Sequence, residues 1–204
     1  MDDLLKEYVI SFFDKHLQFH GDRPEAVRWT KEGQYMHYKS LLDIGNISGK
    51  KILDFGCGKG DFYQFLRHKG IEVIYYGYDI NEKLISLAQK KFPEADFRVF
   101  DIDRQDLKEN FDFIFLCGVF NLKVPDLDKT IKYTIKKLFS HCDIALAFNA
   151  LSIHNPKKDF ELHYVSPEEI FQFSVKELSP FVSIRHDRML YDFTIFVYKD
   201  MNKV

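Results

Sequence analysis

Three closely spaced glycines beside two acidic residues carry the clearest chemistry in this sequence of 204 residues. The segment is Asp54-Phe55-Gly56-Cys57-Gly58-Lys59-Gly60, and Asp61 follows it. Glycines let a backbone turn sharply and lie directly against a ligand, because a Cβ atom would hinder positive φ angles and close approach. The spacing therefore predicts a ligand-binding loop between a buried strand and a helix.

The residues around this loop argue against two common phosphate sites. A dinucleotide site needs a third glycine where Asp61 stands, and the extra negative charge would repel a pyrophosphate at the helix N-terminus. A P-loop needs Gly-Lys-Ser/Thr, whereas Lys59 is followed by Gly60. The loop is better suited to a ligand that carries an amine or a sulfonium.

Another carboxylate lies at the spacing that a nucleoside requires. Asp79 comes 19 residues after Gly60, where the end of the second strand can present a carboxylate to both hydroxyls of a ribose. Asp79 could instead only cap the helix that begins near Asn81, and a glycine triplet could be only a tight turn. Taken together, the loop and the acid predict a nucleoside with a free ribose.

The elements that position these residues alternate between short apolar runs and helical patterns, which is typical of a parallel sheet flanked by helices. About seven residues separate the last two runs, too few for a crossover helix, so these strands should pair antiparallel. We expect six parallel strands and one antiparallel strand. The predicted strands are residues 51–55, 73–78, 97–100, 111–116, 144–148, 181–185 and 193–198, and helices should begin near Asp61, Asn81, Leu127 and Ser166.

The N-terminal part has a different pattern. Two apolar helical segments, at residues 4–13 and 35–42, are joined by a turn that contains Gly21 and Pro24. We therefore predict an N-terminal helical cap over residues 1–48 and a ligand-binding domain over residues 49–204. The two parts should form a single compact domain, since the chain is too short for a second full one.

Charge and composition exclude several classes of partner. Lys and Arg number 29 against 31 Asp and Glu, so no overall charge attracts nucleic acid. The acidic start and the lack of an apolar run of about 20 residues predict a cytoplasmic protein with no membrane partner. Cys57, Cys117 and Cys142 are widely spaced and odd in number, which predicts reduced thiols and no zinc cluster.

Residues 51–60 resemble the first motif of class I S-adenosylmethionine-dependent methyltransferases, and Tyr78-Asp79-Ile80 resembles the second. The resemblance covers about residues 50–199. It implies an α/β, Rossmann-like, seven-stranded, mostly parallel sheet with an antiparallel last strand and helices on both faces. It also implies S-adenosylmethionine as cofactor and S-adenosylhomocysteine as product, with no metal.

The same resemblance assigns residues to parts of the cofactor. Asp54 and the glycines would line the methionine half, Asp79 would bind the ribose, and Ile80 would lie on one adenine face. Asp101 and Ile102 would meet the adenine edge, and Cys117 would close the methionine side. The cofactor-binding residues predicted in this part of the chain are Asp54, Gly56, Cys57, Gly58, Gly60, Asp79, Ile80, Asp101, Ile102 and Cys117.

The segment Gly21-Asp22-Arg23-Pro24-Glu25-Ala26-Val27-Arg28-Trp29 resembles a small bacterial subgroup with Gly-Asp-x-Pro-x-Ala-Val-x-Trp near the start. This resemblance adds Trp29 and Gln34 to the predicted cofactor-binding residues. His37 stands where the subgroup has arginine, so the group that holds the cofactor's carboxylate is left open. The subgroup implies O- or N-methylation of a small metabolite or a sugar-like compound.

The segment after the fourth strand narrows the class of methyl acceptor, and its sequence is Cys117-Gly118-Val119-Phe120-Asn121-Leu122. This segment lacks the Asn/Asp-Pro-Pro-Tyr/Phe motif of base and amide methyltransferases, and it lacks the acids with which catechol-type enzymes hold magnesium. Two alternatives to a small-molecule enzyme stay open, a protein or peptide side-chain methyltransferase and a non-catalytic module that binds S-adenosylmethionine. A monomer or a homodimer is expected.

Three residues are predicted as candidate catalytic bases, because ligands of open parallel sheets bind beyond the carboxyl ends of the strands. His154 follows the fifth strand, and His186 and Asp187 precede the last. Each could accept a proton from a hydroxyl acceptor. Each could equally be structural, His154 as a solvated loop residue and the other two as part of a turn.

Overall fold

The computed structural model describes residues 1–200, so that residues 201–204 of the predicted domain lie outside the described part. Seven strands form one sheet in the order β3-β2-β1-β4-β5-β7-β6. Only the last strand of the chain runs antiparallel to its neighbours, which confirms the predicted fold class. The strands are β1 Lys51–Phe55, β2 Ile74–Asp79, β3 Asp96–Val99, β4 Phe111–Leu116, β5 Cys142–Leu151, β6 Val182–Met189 and β7 Asp192–Tyr198.

Six α-helices in residues 1–200 accompany the sheet, and several begin at the polar residues that the sequence indicates. Asn81 accepts a hydrogen bond from the backbone N of Leu84 at 2.9 Å, and Ser166 accepts one from Glu169 at 3.1 Å, as N-cap residues do. The helices are α1 Asp3–His20, α2 Lys31–Leu41, α3 Asp61–His68, α4 Glu82–Lys91, α5 Leu127–Ser140 and α6 Pro167–Glu177, with short 3₁₀ helices at Pro24–Val27 and Leu42–Ile44.

The helices cover both faces of the sheet, as predicted. One apolar cluster packs α5 and α6 against one face, through Ile131 and Ile170 among others. The other cluster packs α2, α3 and α4 against the opposite face, for example through Leu41, Phe62 and Ile85. Burial on both faces explains why the central strands are nearly continuous apolar runs.

The hairpin at the end of the chain differs from the prediction. The prediction of a turn between the strands at 181–185 and 193–198 is wrong in its length. Strand β6 continues through Met189, and only Leu190 and Tyr191 separate it from β7. Tyr191 adopts a φ of +60°, a left-handed conformation suited to such a tight turn. Strand β6 lies at the exposed edge of the sheet, where polar residues are tolerated, so its sequence reads like a loop.

No helix in residues 1–200 is long and apolar enough to cross a membrane.

Candidate functional site

A cavity of about 200 Å³ lies beyond the carboxyl ends of β1, β2 and β4. The glycine loop forms one side, and α1 and Trp29 lie on the other. Nine of the twelve predicted cofactor-binding residues line this cavity, whereas Asp54, Gly60 and Gln34 do not. The nine are Trp29, Gly56, Cys57, Gly58, Asp79, Ile80, Asp101, Ile102 and Cys117.

The backbone of the loop approaches its surroundings as closely as the glycines allow. Gly56 has a φ of +75°, and a Cβ atom there would lie 2.5 Å from Cγ2 of Val119. Its N–H donates to the carbonyl of Tyr78 at 2.7 Å, which ties the loop to β2. A larger residue would strain the backbone and push into the cavity wall.

Asp79 both supports the loop and faces the cavity. Its Oδ2 accepts a hydrogen bond from the backbone N of Gly58, and its Oδ1 accepts one from Asn81, both at 2.8 Å. Burial raises the pKa of Asp79, while these backbone bonds favour the charged form. Asn81 rather than Asp79 caps α4, and a carboxylate that accepts two bonds retains lone pairs for two hydroxyls.

Asp61 lies in a paired network. Nζ of Lys59 is 2.7 Å from both carboxylate oxygens of Asp61, and Nε2 of Gln34 donates to Oδ2 at 2.9 Å. Lys59 is 2% exposed and also lies 3.2 Å from Asp22. The charge that the sequence places at the start of α3 is therefore balanced within the protein, and Gln34 acts on the loop through Asp61.

Asp54 lies beneath the loop rather than in the cavity wall. It is 2% exposed, and the hydroxyl of Tyr75 donates to its Oδ2. Burial raises the pKa of Asp54 to about 7, with smaller contributions from the nearby charges of Asp79 and Asp61, although the bond from Tyr75 opposes the shift. Asp54 is therefore placed to support the loop from below.

Helix α1 covers the cavity and is attached at the end of β3. Val9, Ile10 and Phe13 line the cavity. Nζ of Lys6 lies 2.8 Å from Oδ2 of Asp101 and 2.9 Å from Asp103. Burial lowers the pKa of Lys6, but the two carboxylates outweigh that effect and the net pKa is raised.

Lys6 is a site residue that the sequence reasoning missed. A signal for it exists, because position 6 shares a helix face with Val9, Ile10 and Phe13 at spacings of three, four and seven residues. A lysine within an apolar stripe indicates a buried partner of opposite charge.

Trp29 closes the cavity beside β4. A Cβ atom on Gly118 would lie 2.6 Å from Cζ2 of Trp29, and the ring of His37 packs 4.3 Å from the indole. Nδ1 of His37 faces the carbonyl of Gly33 at 2.6 Å, and Nε2 faces Oδ2 of Asp192 at 2.8 Å. His37 is thus directed away from the cavity and holds Trp29 in place.

The three predicted catalytic residues lie outside the cavity lining. His154 is paired with Glu168 at 2.7 Å, its ring is 6.4 Å from that of His186, and Asp187 is paired with Arg185 at 2.9 Å. Strand β6 is four strands from β1, which corresponds to about 19 Å at the usual strand spacing. The structure brings the two histidines near each other but not to the glycine loop.

Among residues 1–200, no group of three or more His, Cys, Asp or Glu side chains is arranged to hold a metal ion. All three cysteines are free. Burial raises the pKa of Cys57 and Cys117, with a further contribution from the charge of Asp54. Both therefore line the cavity as neutral thiols.

A family model described as a methyltransferase domain matches residues 46–178. This chain belongs to that methyltransferase family. A Mycobacterium tuberculosis protein named as a methyltransferase is 29% identical over 157 residues, which cover 72% of this chain and 92% of the relative. Other curated methyltransferases that it matches are longer, and the matched part covers 32% to 56% of their length.

Two solved structures with bound S-adenosylhomocysteine share the fold. Magnesium protoporphyrin IX methyltransferase of Synechocystis has a TM-score of 0.69 at 18% identity, covering 97% of this chain and 99% of that one. The DhpI complex has a TM-score of 0.72 at 16% identity, covering 96% and 97%. The protein is a class I S-adenosylmethionine-dependent methyltransferase.

The cavity fits this cofactor on two observations. Gly56 lines the cavity, and a Cβ atom there would meet Val119 of the same wall, so only glycine lets the loop backbone lie directly at the cavity. The carboxylate of Asp79 faces the cavity with acceptor capacity to spare. When bound, S-adenosylmethionine supplies an activated methyl group.

Proposed function

We propose that this methyltransferase methylates a small molecule at an oxygen or nitrogen atom, with a metabolite or a sugar-like compound as acceptor. The observation that carries the proposal is the cover over the cavity. Helix α1 contributes Val9, Ile10 and Phe13 to the cavity wall, and Trp29 packs against Gly118. An acceptor must fit beneath this cover, which favours a compact molecule over a protein side chain.

A second segment, which contains Glu161 and His163, supports the cover from the side of β4. The backbone of Lys123 donates to Glu161 at 2.8 Å, and His163 donates to Asn121 at 2.9 Å. Glu161 also pairs with Arg28 at 2.7 Å, which connects this segment to the residue before Trp29. The cover is therefore built from three separate parts of the chain.

We further propose how the predicted residues share the cofactor. Asp79 would accept hydrogen bonds from the ribose hydroxyls, and Ile80 and Ile102 would enclose the adenine beside Asp101. Gly56, Cys57, Gly58, Cys117 and Trp29 would surround the methionine part, while Asp54, Gly60 and Gln34 would hold the loop in shape. The proposal is supported by the positions of these residues around one cavity or directly behind it.

The chain's own contribution to the reaction would be alignment and exclusion of water. Holding an acceptor at attack distance removes most of the entropic barrier of a reaction between two molecules. A hydroxyl acceptor also has to lose a proton. His154, His186 and Asp187 stay proposals for that role, which would require the acceptor to extend from the cavity toward the carboxyl end of β5.

Two further assignments belong to the same proposal. We assign the chain to the small bacterial subgroup with the Gly-Asp-x-Pro-x-Ala-Val-x-Trp motif, an assignment that the segment from Gly21 to Trp29 supports. Residues 1–48 would form the cap and residues 49–204 the catalytic domain, which is supported by a family match that begins at residue 46. The subgroup and the cap together favour small acceptors.

Transfer of labelled methyl groups tests the proposal. The purified protein and S-adenosylmethionine with a labelled methyl group would be incubated with small-molecule and protein fractions of bacterial extracts. We expect label in the small-molecule fraction, and Asp79→Ala should abolish it. Label confined to the protein fraction would indicate a protein side-chain methyltransferase, and cofactor binding without transfer to any fraction would indicate a non-catalytic module.

A further inference from the structure

Tyr38 in helix α2 presents a polar group to the cavity that the proposed binding mode does not use. The residue is 7% exposed and lines the cavity. Its ring packs 5.1 Å from Phe62 and 5.4 Å from Phe65, so the side chain is held firmly. Within residues 1–200 its hydroxyl makes no hydrogen bond, whereas the hydroxyl of Tyr75 bonds Asp54.

A ligand that fills the cavity would bury the hydroxyl of Tyr38. Burying a polar group without a partner costs about 1–3 kcal/mol in proteins. The same ring packing is available to phenylalanine, which has no such cost. A hydroxyl that faces a ligand cavity is therefore well explained by a partner in the ligand.

The surroundings of Tyr38 identify which part of the cofactor it meets. The ring of Tyr38 packs against Phe62, the residue after Asp61, and burial, followed by the charges of Asp61 and Cys117, raises the pKa of Tyr38. These two residues lie at the start of α3 and the end of β4, away from Asp101, where Lys6 covers the expected adenine end. The hydroxyl thus lies toward the methionine part and keeps its proton, so it is a hydrogen-bond donor and not a base.

His37, the residue before Tyr38, does not contact the methionine part of the cavity. Both ring nitrogens of His37 are engaged, by Gly33 and Asp192. His37 does not line the cavity, but the next residue along the helix does. Tyr38 is therefore the group that α2 offers to the cavity.

We propose that the hydroxyl of Tyr38 donates a hydrogen bond to the α-carboxylate of the cofactor's methionine moiety. The inference rests on the binding mode proposed above. A neutral donor bound to a carboxylate forms a charge-assisted hydrogen bond, which is stronger than a bond between neutral groups. Tyr38 thus supplies a neutral hydrogen-bond donor at the end of the cavity that Lys59 and Asp61 also line.

A pair of ligands separates this role from a merely structural one. S-adenosylhomocysteine carries the amino-acid carboxylate, whereas 5′-methylthioadenosine keeps the adenosine and the sulfur but lacks the amino-acid part. Calorimetry would measure both affinities for the wild type, for Tyr38→Phe and for Tyr35→Phe. Tyr35 is the matched control, because it lies on the same helix with an exposed side chain and its hydroxyl contacts Lys69 outside the cavity.

We expect Tyr38→Phe to weaken S-adenosylhomocysteine by tenfold or more, on the order expected for a bond to a charged group. The affinity for 5′-methylthioadenosine should stay within about twofold, and Tyr35→Phe should change neither. An unchanged affinity for S-adenosylhomocysteine, or an equal loss for both ligands, would overturn the proposal. A wild-type protein that binds neither ligand would instead overturn the proposed binding mode itself.

Discussion

At the scale of single residues, the buried carboxyl of Asp54 makes stability depend on pH. Its pKa is raised to about 7 in the folded protein by burial and by nearby carboxylates. In the unfolded chain an Asp ionises near pH 4. Between these values the folded state holds a proton that the unfolded state has lost, so the free energy of unfolding falls as pH rises. Below about pH 4 and above about pH 7 this effect levels off.

The variant Asp54→Asn should remove this pH dependence. Asparagine has the same shape, stays neutral and can still accept the bond from Tyr75. Because each pH unit in the window is equivalent to about 1.4 kcal/mol, the wild type should lose about 2–3 kcal/mol more than the variant between pH 5 and pH 8. Urea unfolding at both pH values measures the difference.

A second aspartate serves as the control for that experiment. The side chain of Asp106 is 92% exposed, so Asp106→Asn should follow the wild-type pH dependence. Equal slopes for the wild type and Asp54→Asn would mean that Asp54 is ionised in the folded protein at low pH, contrary to the prediction.

Alanine substitutions at Gly56 and Gly49 can separate the cost of backbone strain from the cost of a close contact. Both Gly56 and Gly49 have φ angles near +70°, at +75° and +71°. A Cβ atom on Gly56 would lie 2.5 Å from Val119, whereas one on Gly49 would have no neighbour within 4 Å. We expect Gly49→Ala to lose about 1–2 kcal/mol, the cost of a left-handed alanine.

Gly56→Ala should lose more than Gly49→Ala, because the clash with Val119 adds to the same backbone strain. It should also weaken S-adenosylhomocysteine, whereas Gly49→Ala should leave that affinity unchanged. Urea unfolding and calorimetry on the two variants measure these effects. Equal losses of stability with unchanged affinity would show that the close approach at Gly56 has no part in binding.

Among the elements, α1 is attached beside the cavity by polar contacts at two points. Lys6 contacts Asp101 and Asp103 near the helix start. Asp14 accepts a hydrogen bond from Asn81 at 2.9 Å about two turns further on. Leu5 and Val9 also pack against the apolar core, so polar and apolar contacts together decide how firmly α1 covers the cavity.

Lys6→Ala should loosen α1 without unfolding the sheet. The change removes the lysine shared by Asp101 and Asp103, which then keep Arg104 and the N-terminal ammonium as charged partners, and weakening such a partly buried cluster is costly. Amide exchange across α1 should therefore accelerate by about tenfold or more, equivalent to about 1.4 kcal/mol of local stability. Exchange in α3 and α4 should be unchanged, as hydrogen exchange followed by mass spectrometry would measure.

The matched control is Lys15→Ala, since Lys15 lies on the same helix with a more exposed side chain. This variant should exchange like the wild type. If Lys6→Ala accelerates exchange in α3 and α4 to the same extent as in α1, the ion pairs stabilise the whole domain and α1 is not an independent cover.

The strands differ in how well the sequence predicts them. Period and length identified the central strands because these are buried on both faces. The first half of the edge strand β6 was predicted as a strand, but its second half was predicted as a turn, since solvent on one side permits His186, Asp187 and Arg188 there. The distance between side chains on different strands depends on the order of the strands in the sheet, and sequence patterns do not give that order.

The residues of the candidate site also fall into those that the sequence predicts and those that it does not. Residues that act through their own backbone or their place at a strand end, such as Gly56 and Asp79, were predictable from spacing. Residues that depend on packing between distant elements were not. Lys6 meets Asp101 across 95 positions of the chain, and the orientation of His37 depends on Asp192, 155 positions away.

For the whole molecule, the cavity is the place where several separate parts of the chain meet around one site. Its wall combines α1, the segment around Trp29, the glycine loop and the ends of β2, β3 and β4. A ligand that fills it contacts all of these at once. Binding should therefore stabilise the folded protein as a unit, because the unfolded chain has no such site.

Thermal unfolding with added S-adenosylhomocysteine tests this connection. At a ligand concentration 100 times Kd, binding adds about 2.7 kcal/mol, which for a chain of this size raises Tm by about 5–10 °C. Asp79→Ala should lose most of the increase, because it removes the ribose acceptor and the anchor of Gly58. NAD at the same concentration should leave Tm unchanged, since Asp61 stands where a dinucleotide site has its third glycine. An equal increase with NAD would mean that the loop recognises adenosine alone, and the selectivity inferred from Asp61 would then be wrong.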